Sequence, residues 1–239
     1  EHVIRGDITT ADGTVLAKTT VSDDGSETRE YPYGRMFAHV VGYTNNGKGG
    51  LESQYNFNLL RSHSFFLTQI INDLKNKKNI GDTLVTTLDY DVQETAYKAL
   101  GDRDGAVVVM EVKTGKILAL VSKPDFDPNT LAERWDDIVS DENSSVLLNR
   151  VTSGLYPPGS TFKIFTTLEY VHENSNYQDY SFDCEGELNV DGNEIHCYHK
   201  AVHGKETLRD SFANSCNTSF SNIGLSLDIS GFRNLCEDM

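Results

Sequence analysis

The sequence predicts an α+β protein built from two regions. Three observations lead there. Residues 1–82 mix short strand-like pieces with many turn signals, residues 106–111 and 117–122 form a strongly apolar hairpin pattern, and four segments between residues 89 and 227 carry apolar residues at helical spacing.

In the first region, Asp12-Gly13, Asp24-Gly25 and Asn46-Gly47 mark tight turns, because glycine tolerates a positive φ. The polar cluster at 75–79, followed by Gly81-Asp82, sets a loose boundary between a domain at 1–82 and one at 83–239. Residues 84–88 read as a short strand. Asp89 or Asp91 can cap a helix that runs to Leu100 and stops at Gly101, with Val92, Ala96 and Ala99 on one face. The hairpin follows, with its turn at 113–116. Both of its strands are nearly continuously apolar, which predicts a sheet covered on both faces. Leu131, Trp135 and Ile138 sit at i, i+4, i+7 and predict another amphipathic helix. After the break at Pro157-Pro158-Gly159, Phe162, Ile164, Phe165, Leu168 and Val171 cover most of a helix circumference, which predicts a buried helix over 160–171. Leu208, Phe212, Cys216, Phe220, Ile223 and Leu227, three or four apart, predict one or two helices on the same core.

The 239 residues suffice for one large domain or two smaller ones, and a net charge of −15 argues against a nucleic-acid binder, which needs cations facing phosphates. No stretch reaches the roughly 20 apolar residues of a spanning helix. The best run, 65–71, is interrupted by Thr68 and Gln69. The chain starts at Glu1 with no signal peptide and no initiator Met, and reads as a processed piece. None of Cys184, Cys197, Cys216 and Cys236 forms C-x-x-C, so neither a redox motif nor a zinc ribbon is signalled.

The chemistry centres on Ser160-Thr161-Phe162-Lys163. On a helix, residues three apart share a face, so the serine Oγ and the lysine Nζ can meet. A serine is a poor nucleophile until a base takes its proton, and a lysine is a base only when neutral. Burial favours the neutral amine. The Pro-Pro-Gly break puts Ser160 in a first helical turn, where free N–H groups can steady an oxyanion. Alone, these four residues also fit an N-terminal capping serine and a snorkelling lysine. Ser215-Cys216-Asn217, the only Ser-x-Asn in the chain, lies 55 positions after Ser160 in another apolar helical segment. Its hydroxyl and amide together can relay a proton and bind a peptide carbonyl.

Ser-x-x-Lys followed by Ser-x-Asn and then Lys-Thr-Gly resembles the signature of penicillin-binding proteins and serine β-lactamases. The surroundings resemble the class B branch of penicillin-binding proteins. Asn149-Arg150 and Tyr156-Pro157-Pro158-Gly159 flank the serine, Asp125-Phe126-Asp127-Pro128-Asn129 follows the hairpin, and His203-Gly204 precedes Ser215. Arg5-Gly6-Asp7-Ile8, Gly49-Gly50-Leu51-Glu52 and Thr87-Leu88-Asp89 extend the likeness towards the start.

This resemblance implies an extended N-terminal pedestal or dimerisation-like region at 1–82 and, from 83, a partial penicillin-binding transpeptidase domain: an antiparallel sheet with helices on both faces and the Ser160 helix buried against it. It implies peptidoglycan D,D-transpeptidation through an acyl-serine. Ser160 is the nucleophile, Lys163 the base, Ser215 the route of proton delivery to the leaving D-Ala, and Asn217 the holder of substrate backbone. The implied partners are peptidoglycan stem peptides, β-lactam antibiotics and, through the N-terminal region, other cell-wall synthesis proteins. No nucleic acid, metal or organic cofactor is implied. The implied location is the extracytoplasmic face of a bacterial membrane. Lys113-Thr114-Gly115 is present but upstream of Ser160, where it reads as the hairpin turn. The true third motif is then expected beyond Met239, and the chain as written is not expected to turn over.

Other readings fit the same residues. A serine β-lactamase or β-lactam sensor shares both motifs, a non-catalytic cell-wall scaffold would leave the pocket silent, and a plain soluble domain would use Ser160 and Ser215 as caps. Cys184, Cys197, His199 and His203 are close enough in sequence to suggest zinc, though at no standard spacing, and a Cys184–Cys197 disulfide is the favoured alternative. Cys216 reads as core. His39, His63 and His172 read as surface or packing residues, and the acidic stretch at 136–142 as a solvated helix end.

Overall fold

The computed structural model describes residues 3–63, 72 and 77–239. The apolar run at 65–71, and residues 75 and 76 of the polar cluster, lie outside the described residues. The chain divides into two compact units, Glu1–Leu155 and Tyr156–Met239.

The first unit is organised by a small mixed sheet. Strands β1 (Val3–Ile4), β2 (Ile8–Thr9), β3 (Val15–Val21), β4 (Glu27–Glu30), β5 (Asn79–Ile80) and β6 (Leu84–Val85) form a four-stranded sheet in the order β4-β3-β2-β6 and a separate parallel pair, β1 with β5. Ile8 faces Leu84 across the parallel contact, so residues nearly eighty apart close one ladder. Three one-turn helices, α1 (Ala38–Val41), α2 (Gly50–Gln54) and α3 (Asn56–Leu59), pack Val41 and Leu59 into a core with Ile8, Leu16, Ala17, Tyr31, Phe37 and Leu88. One carboxylate is fully buried there. Glu52 takes the Arg5 Nε on one oxygen and the Arg29 Nε, at 2.7 Å, on the other. Arg5 also reaches Asn56 Oδ1 at 2.7 Å, and Arg29 reaches the Gly6 carbonyl at 2.9 Å. The motifs Arg5-Gly6-Asp7 and Gly49-Gly50-Leu51-Glu52 therefore meet as an ion pair.

The rest of the unit follows the local signals closely. Helix α4 (Tyr90–Leu100) starts where the Asp89 carboxylate accepts the Val92 N–H and ends at Gly101, whose φ of +59 suits glycine. Strands β7 (Gly105–Met110) and β8 (Ile117–Lys123) form the expected antiparallel hairpin, with Lys113-Thr114-Gly115 in its turn. Three expectations need correction. Ala99 is exposed, and Gln93 is the fully buried residue of α4. Its amide donates to the Met36 and Leu120 carbonyls at 2.8 and 2.9 Å and accepts the Leu120 N–H at 2.8 Å. Strand β7 of the hairpin is covered on one face only, whereas on β8 Ser122, on the face away from α4, is buried as well, with its Oγ on the Leu148 carbonyl at 3.1 Å. Val107 and Val109 pack towards Ala96 of α4, while Val108 and Met110 alternate outward and are exposed. Of the strand expected at 84–88, only Leu84–Val85 is strand. Leu131 and Ile138 are buried as expected, in a 3-10 turn running into α5 (Trp135–Ser140).

In the second unit, a 3-10 turn (Gly159–Phe162) runs into helix α6 (Lys163–Glu173). Two strand pairs follow: β9 (Ser181–Cys184) with β12 (Gly204–Thr207), and β10 (Glu187–Val190) with β11 (Asn193–His196). Helices α7 (Leu208–Ala213), α8 (Asn217–Ser226) and α9 (Ile229–Asp238) close the unit. Thr207 and Asp210 form a capping box that starts α7. Leu208, Phe220 and Ile223 pack with Tyr170, Val171, Tyr177 and Tyr180.

One expectation fails here, and another holds except at one residue. The segment over 160–171 is not a buried helix. Phe162, Ile164 and Leu168 keep 40%, 46% and 43% of their surface exposed, and the residues buried along α6 are Thr166 and Glu169. Apolar residues on nearly every side did not give burial on every side, because the elements of this unit cover only part of the circumference. The stretch 208–227 is two helices broken at Asn214-Ser215, within the one or two expected, and of its periodic apolar residues Phe212 is exposed. Among the described residues no helix is long and apolar enough to cross a membrane.

Candidate active site

Each end of the site is made by a local break in helix geometry. Pro158 sits at φ −65 with its carbonyl accepting the Thr161 hydroxyl at 2.6 Å, and Gly159 takes φ +56, a left-handed value that costs an L-residue about 1–2 kcal/mol. This tight entry exposes Ser160 on the 3-10 turn and starts α6 at Lys163. The other end is the turn between α7 and α8. Ser215 adopts φ +52, held by its N–H on the Phe212 carbonyl at 3.1 Å and by the Cys216 N–H on the Ser211 carbonyl at 2.9 Å. A non-glycine residue in this region carries strain of about 1–3 kcal/mol, and such strain concentrates at functional sites. A buried carboxylate supports the turn from behind: Glu206 accepts the Asn214 amide at 2.7 Å and lies beside Ser211 Oγ at 3.4 Å.

The two breaks bring four side chains together. Ser215 Oγ donates to Ser160 Oγ at 2.8 Å. Lys163 Nζ donates to Ser215 Oγ at 2.9 Å, to the Ser215 carbonyl at 2.6 Å and to Asn217 Oδ1 at 2.7 Å. The link from Ser160 to Lys163 thus runs through the Ser215 hydroxyl, where helical stacking suggested a direct contact. Asn217 opens α8 and uses both halves of its amide, the oxygen on Lys163 and the nitrogen on the His196 carbonyl at 2.9 Å. Lys163 is half-buried, and desolvation holds its pKa below the ordinary 10.5, while the nearby Cys216 and Cys197 thiols pull the other way. Ser160, Ser215, Asn217, Asn214, Tyr198, Ala201 and His203 line an open cavity of about 460 Å³. A cleft of similar size in the first unit, about 510 Å³, carries His39 and Asn149 but no serine–lysine pair.

Behind this cavity lies a group that the sequence did not show as a unit. Cys184 ends β9, Cys197 follows β11, and Cys216 caps α8 with its sulfur accepting the Ser219 N–H. All three are buried, and His203 lies beside them. The favoured Cys184–Cys197 disulfide is absent. The sulfurs stand 3.7 Å apart, against about 2.05 Å for a bond, and all four cysteines are free. His199 lies outside the group, exposed, with its ring 4.0 Å from that of Tyr198. Burial pushes the Cys184 thiol up, but hydrogen bonds from Thr218 and from the His203 and Gly186 backbones outweigh it and bring the thiol down to about 6. Burial raises Cys216 to about 12.

Comparisons with known proteins agree with this architecture. The penicillin binding protein transpeptidase domain matches residues 105–239, and the penicillin binding protein A dimerisation domain matches residues 5–84. The peptidoglycan D,D-transpeptidase PbpA of Mycolicibacterium smegmatis is 34% identical over 93% of this chain and 49% of its own length. An imipenem acyl-enzyme complex of penicillin-binding protein A from M. tuberculosis superposes with a TM-score of 0.88 at 29% identity, covering 99% of this chain and 58% of that one. The D,D-transpeptidase domain of a peptidoglycan glycosyltransferase from Eggerthella lenta gives a TM-score of 0.85 at 31% identity, over 99% of this chain and 53% of that one. The chain spans about half the length of the curated relatives it matches. With its transpeptidase match over more than half its length and a dimerisation match ahead of it, the chain belongs to the penicillin-binding protein transpeptidase family.

Proposed function

We propose that this chain carries the nucleophile-bearing part of a peptidoglycan D,D-transpeptidase that works at the outer face of a bacterial membrane. The observation that carries the reading is the hydrogen-bonded line Ser160–Ser215–Lys163 at 2.8 and 2.9 Å, opening on a cavity. Ser160 Oγ attacks the carbonyl of the penultimate D-Ala of a stem peptide. With Lys163 neutral, both hydroxyls turn over, so that Ser160 donates to Ser215 and Ser215 to Lys163; a bond forms between Oγ and that carbon as the Ser160 proton passes to Ser215 and Ser215 passes its own to Lys163. The C–N bond then breaks, and the same line run backwards returns a proton to the departing D-Ala amine. An amine from a neighbouring stem peptide attacks the acyl-serine, the C–Oγ bond breaks, and the proton the amine gives up returns through Lys163 and Ser215 to Ser160, completing the cross-link. Lys163 fits both directions: half-burial favours its neutral form, and its three acceptors steady the ammonium once it has taken the proton. Asn217, held by the His196 carbonyl, orients Lys163 and presents the edge of the site to substrate backbone. A β-lactam carbonyl meets the same nucleophile and acylates Ser160. The region of residues 5–84 serves dimerisation or docking to other cell-wall proteins.

The test is acylation of the intact protein by a fluorescent penicillin, with mass spectrometry of the labelled peptide. The adduct is expected on Ser160 and absent in Ser160→Ala. A label on another residue, or none, would overturn the assignment. Rapid hydrolysis of a chromogenic cephalosporin would move the reading to a β-lactamase.

A further inference from the structure

We propose that Cys184, Cys197, Cys216 and His203 bind a single zinc ion behind the Ser215 turn. Their ligand atoms all lie within 4.8 Å of one another. A tetrahedral zinc with sulfur at about 2.3 Å and nitrogen at about 2.0–2.1 Å has S···S and S···N edges of roughly 3.5–3.8 Å. Three of the six edges lie at or near that figure: 3.7 Å from Cys184 Sγ to Cys197 Sγ, 3.7 Å from Cys197 Sγ to Cys216 Sγ, and 3.3 Å from Cys184 Sγ to His203 Nδ1. A core of inert thiols would account for the burial of three cysteines but not for an imidazole nitrogen aimed at one of them.

The fold assembles the set from four places. Antiparallel pairing of β9 and β12 sets Cys184 opposite Gly204, which brings His203 alongside. Cys197 leaves β11 with its N–H on the Gly186 carbonyl at 3.0 Å, and Cys216 arrives at the start of α8. Donors already surround the sulfurs, as they do around metal thiolates. The Ser219 N–H points at Cys216 Sγ at 3.4 Å, and the fully buried Thr218 Oγ1 lies 3.2, 3.3 and 3.6 Å from Cys184, Cys216 and Cys197. Soft thiolates with one imidazole in tetrahedral array select zinc among the common ions. Edges this short fit one ion and leave no room for an iron–sulfur cluster.

Cys216 stands between Ser215 and Asn217, so the ion fastens the strained turn to β9 and to the segment ahead of β12. That coupling rests on the function proposed above, whereas metal binding itself does not. The experiment therefore has two arms. In the first, the reduced protein is analysed for metal and, after stripping, titrated with Co(II). One zinc per chain is expected, and the cobalt form should show strong visible bands of a tetrahedral ion with thiolate charge transfer, bleached by zinc. Cys184→Ser and His203→Ala should lose that spectrum, and Cys236→Ser should keep it. A weak octahedral spectrum in the unmodified protein, or a disulfide among the three buried cysteines, would overturn the site without recourse to variants. In the second arm, the stripped protein is expected to acylate with penicillin about 10- to 100-fold more slowly and to recover with zinc. Unchanged acylation after stripping, with a normal cobalt spectrum, would overturn the coupling and leave the ion in place.

Discussion

Replacing Ser215 separates two properties that the turn combines. Its hydroxyl is the link in the line from Ser160 to Lys163, and its backbone sits at φ +52. Ser215→Ala removes the link and keeps the strain, while Ser215→Gly removes both. Losing a positioned proton carrier costs about 10²–10⁴-fold in rate, which corresponds to about 2.7–5.4 kcal/mol of barrier. Both variants should therefore acylate with penicillin more slowly by that factor. Their stabilities should differ in the unusual direction. A left-handed backbone costs alanine about 1–2 kcal/mol that glycine escapes, against about 0.5–1 kcal/mol of extra chain entropy that glycine loses on folding. The glycine variant should come out more stable than the alanine variant by up to about 1.5 kcal/mol. Stopped-flow acylation gives the first quantity and urea unfolding the second. An alanine variant that acylates at the normal rate would refute the relay, and a glycine variant less stable than alanine would refute the account of the turn.

The pH profile of acylation should rise as Lys163 loses its proton, because only the neutral amine accepts one, and should level off below the ordinary lysine value of 10.5, since burial lowers this pKa. A rate still climbing at that pH would contradict the effect of burial. Glu52→Gln should destabilise the first unit by about 3–5 kcal/mol, because it leaves the guanidiniums of Arg5 and Arg29 buried beside a neutral amide, and urea unfolding measures it. Gly159→Ala should slow acylation and cost about 1–2 kcal/mol, because φ +56 penalises a Cβ there, and calorimetry with penicillin labelling reads both. Gln93→Leu should cost about 1–3 kcal/mol for each backbone group left unpaired at Met36 and Leu120, seen as a lowered unfolding midpoint.

What the sequence revealed was local or carried by motif. Helix α4 was legible from Asp89 and Gly101 because a cap and a stop are written within a few residues of the helix they bound. The hairpin was legible from valine runs flanking Lys113-Thr114-Gly115. The meeting of Ser160-Thr-Phe-Lys163 with Ser215-Cys-Asn217 was legible only through the order of the two motifs. Its geometry was not: the 3-10 turn at Gly159–Phe162 and the positive φ of Ser215 place the second serine between the first serine and the lysine. Strand pairing hid the rest. The β9–β12 ladder brought His203 beside Cys184, Cys216 met Cys197 from the start of α8 where helical spacing had made it a packing residue, and Glu52 found Arg5 and Arg29 across 47 and 23 positions. Cover was misjudged for a single reason. Period and composition show that residues on β7 and α6 are apolar, and do not show which of their faces a neighbour reaches.

Gln93 has an effect on how this protein meets other chains. A two-stranded hairpin leaves an outer margin of free N–H and C=O groups, which invites a foreign strand to pair. On β8 that margin is already taken: the Leu118 carbonyl accepts the Asp89 N–H at 2.9 Å, and the Gln93 amide engages both the N–H and the C=O of Leu120 as a neighbouring strand would. A single side chain thus stands in for a third strand and guards the hairpin against fibril-like growth at that margin.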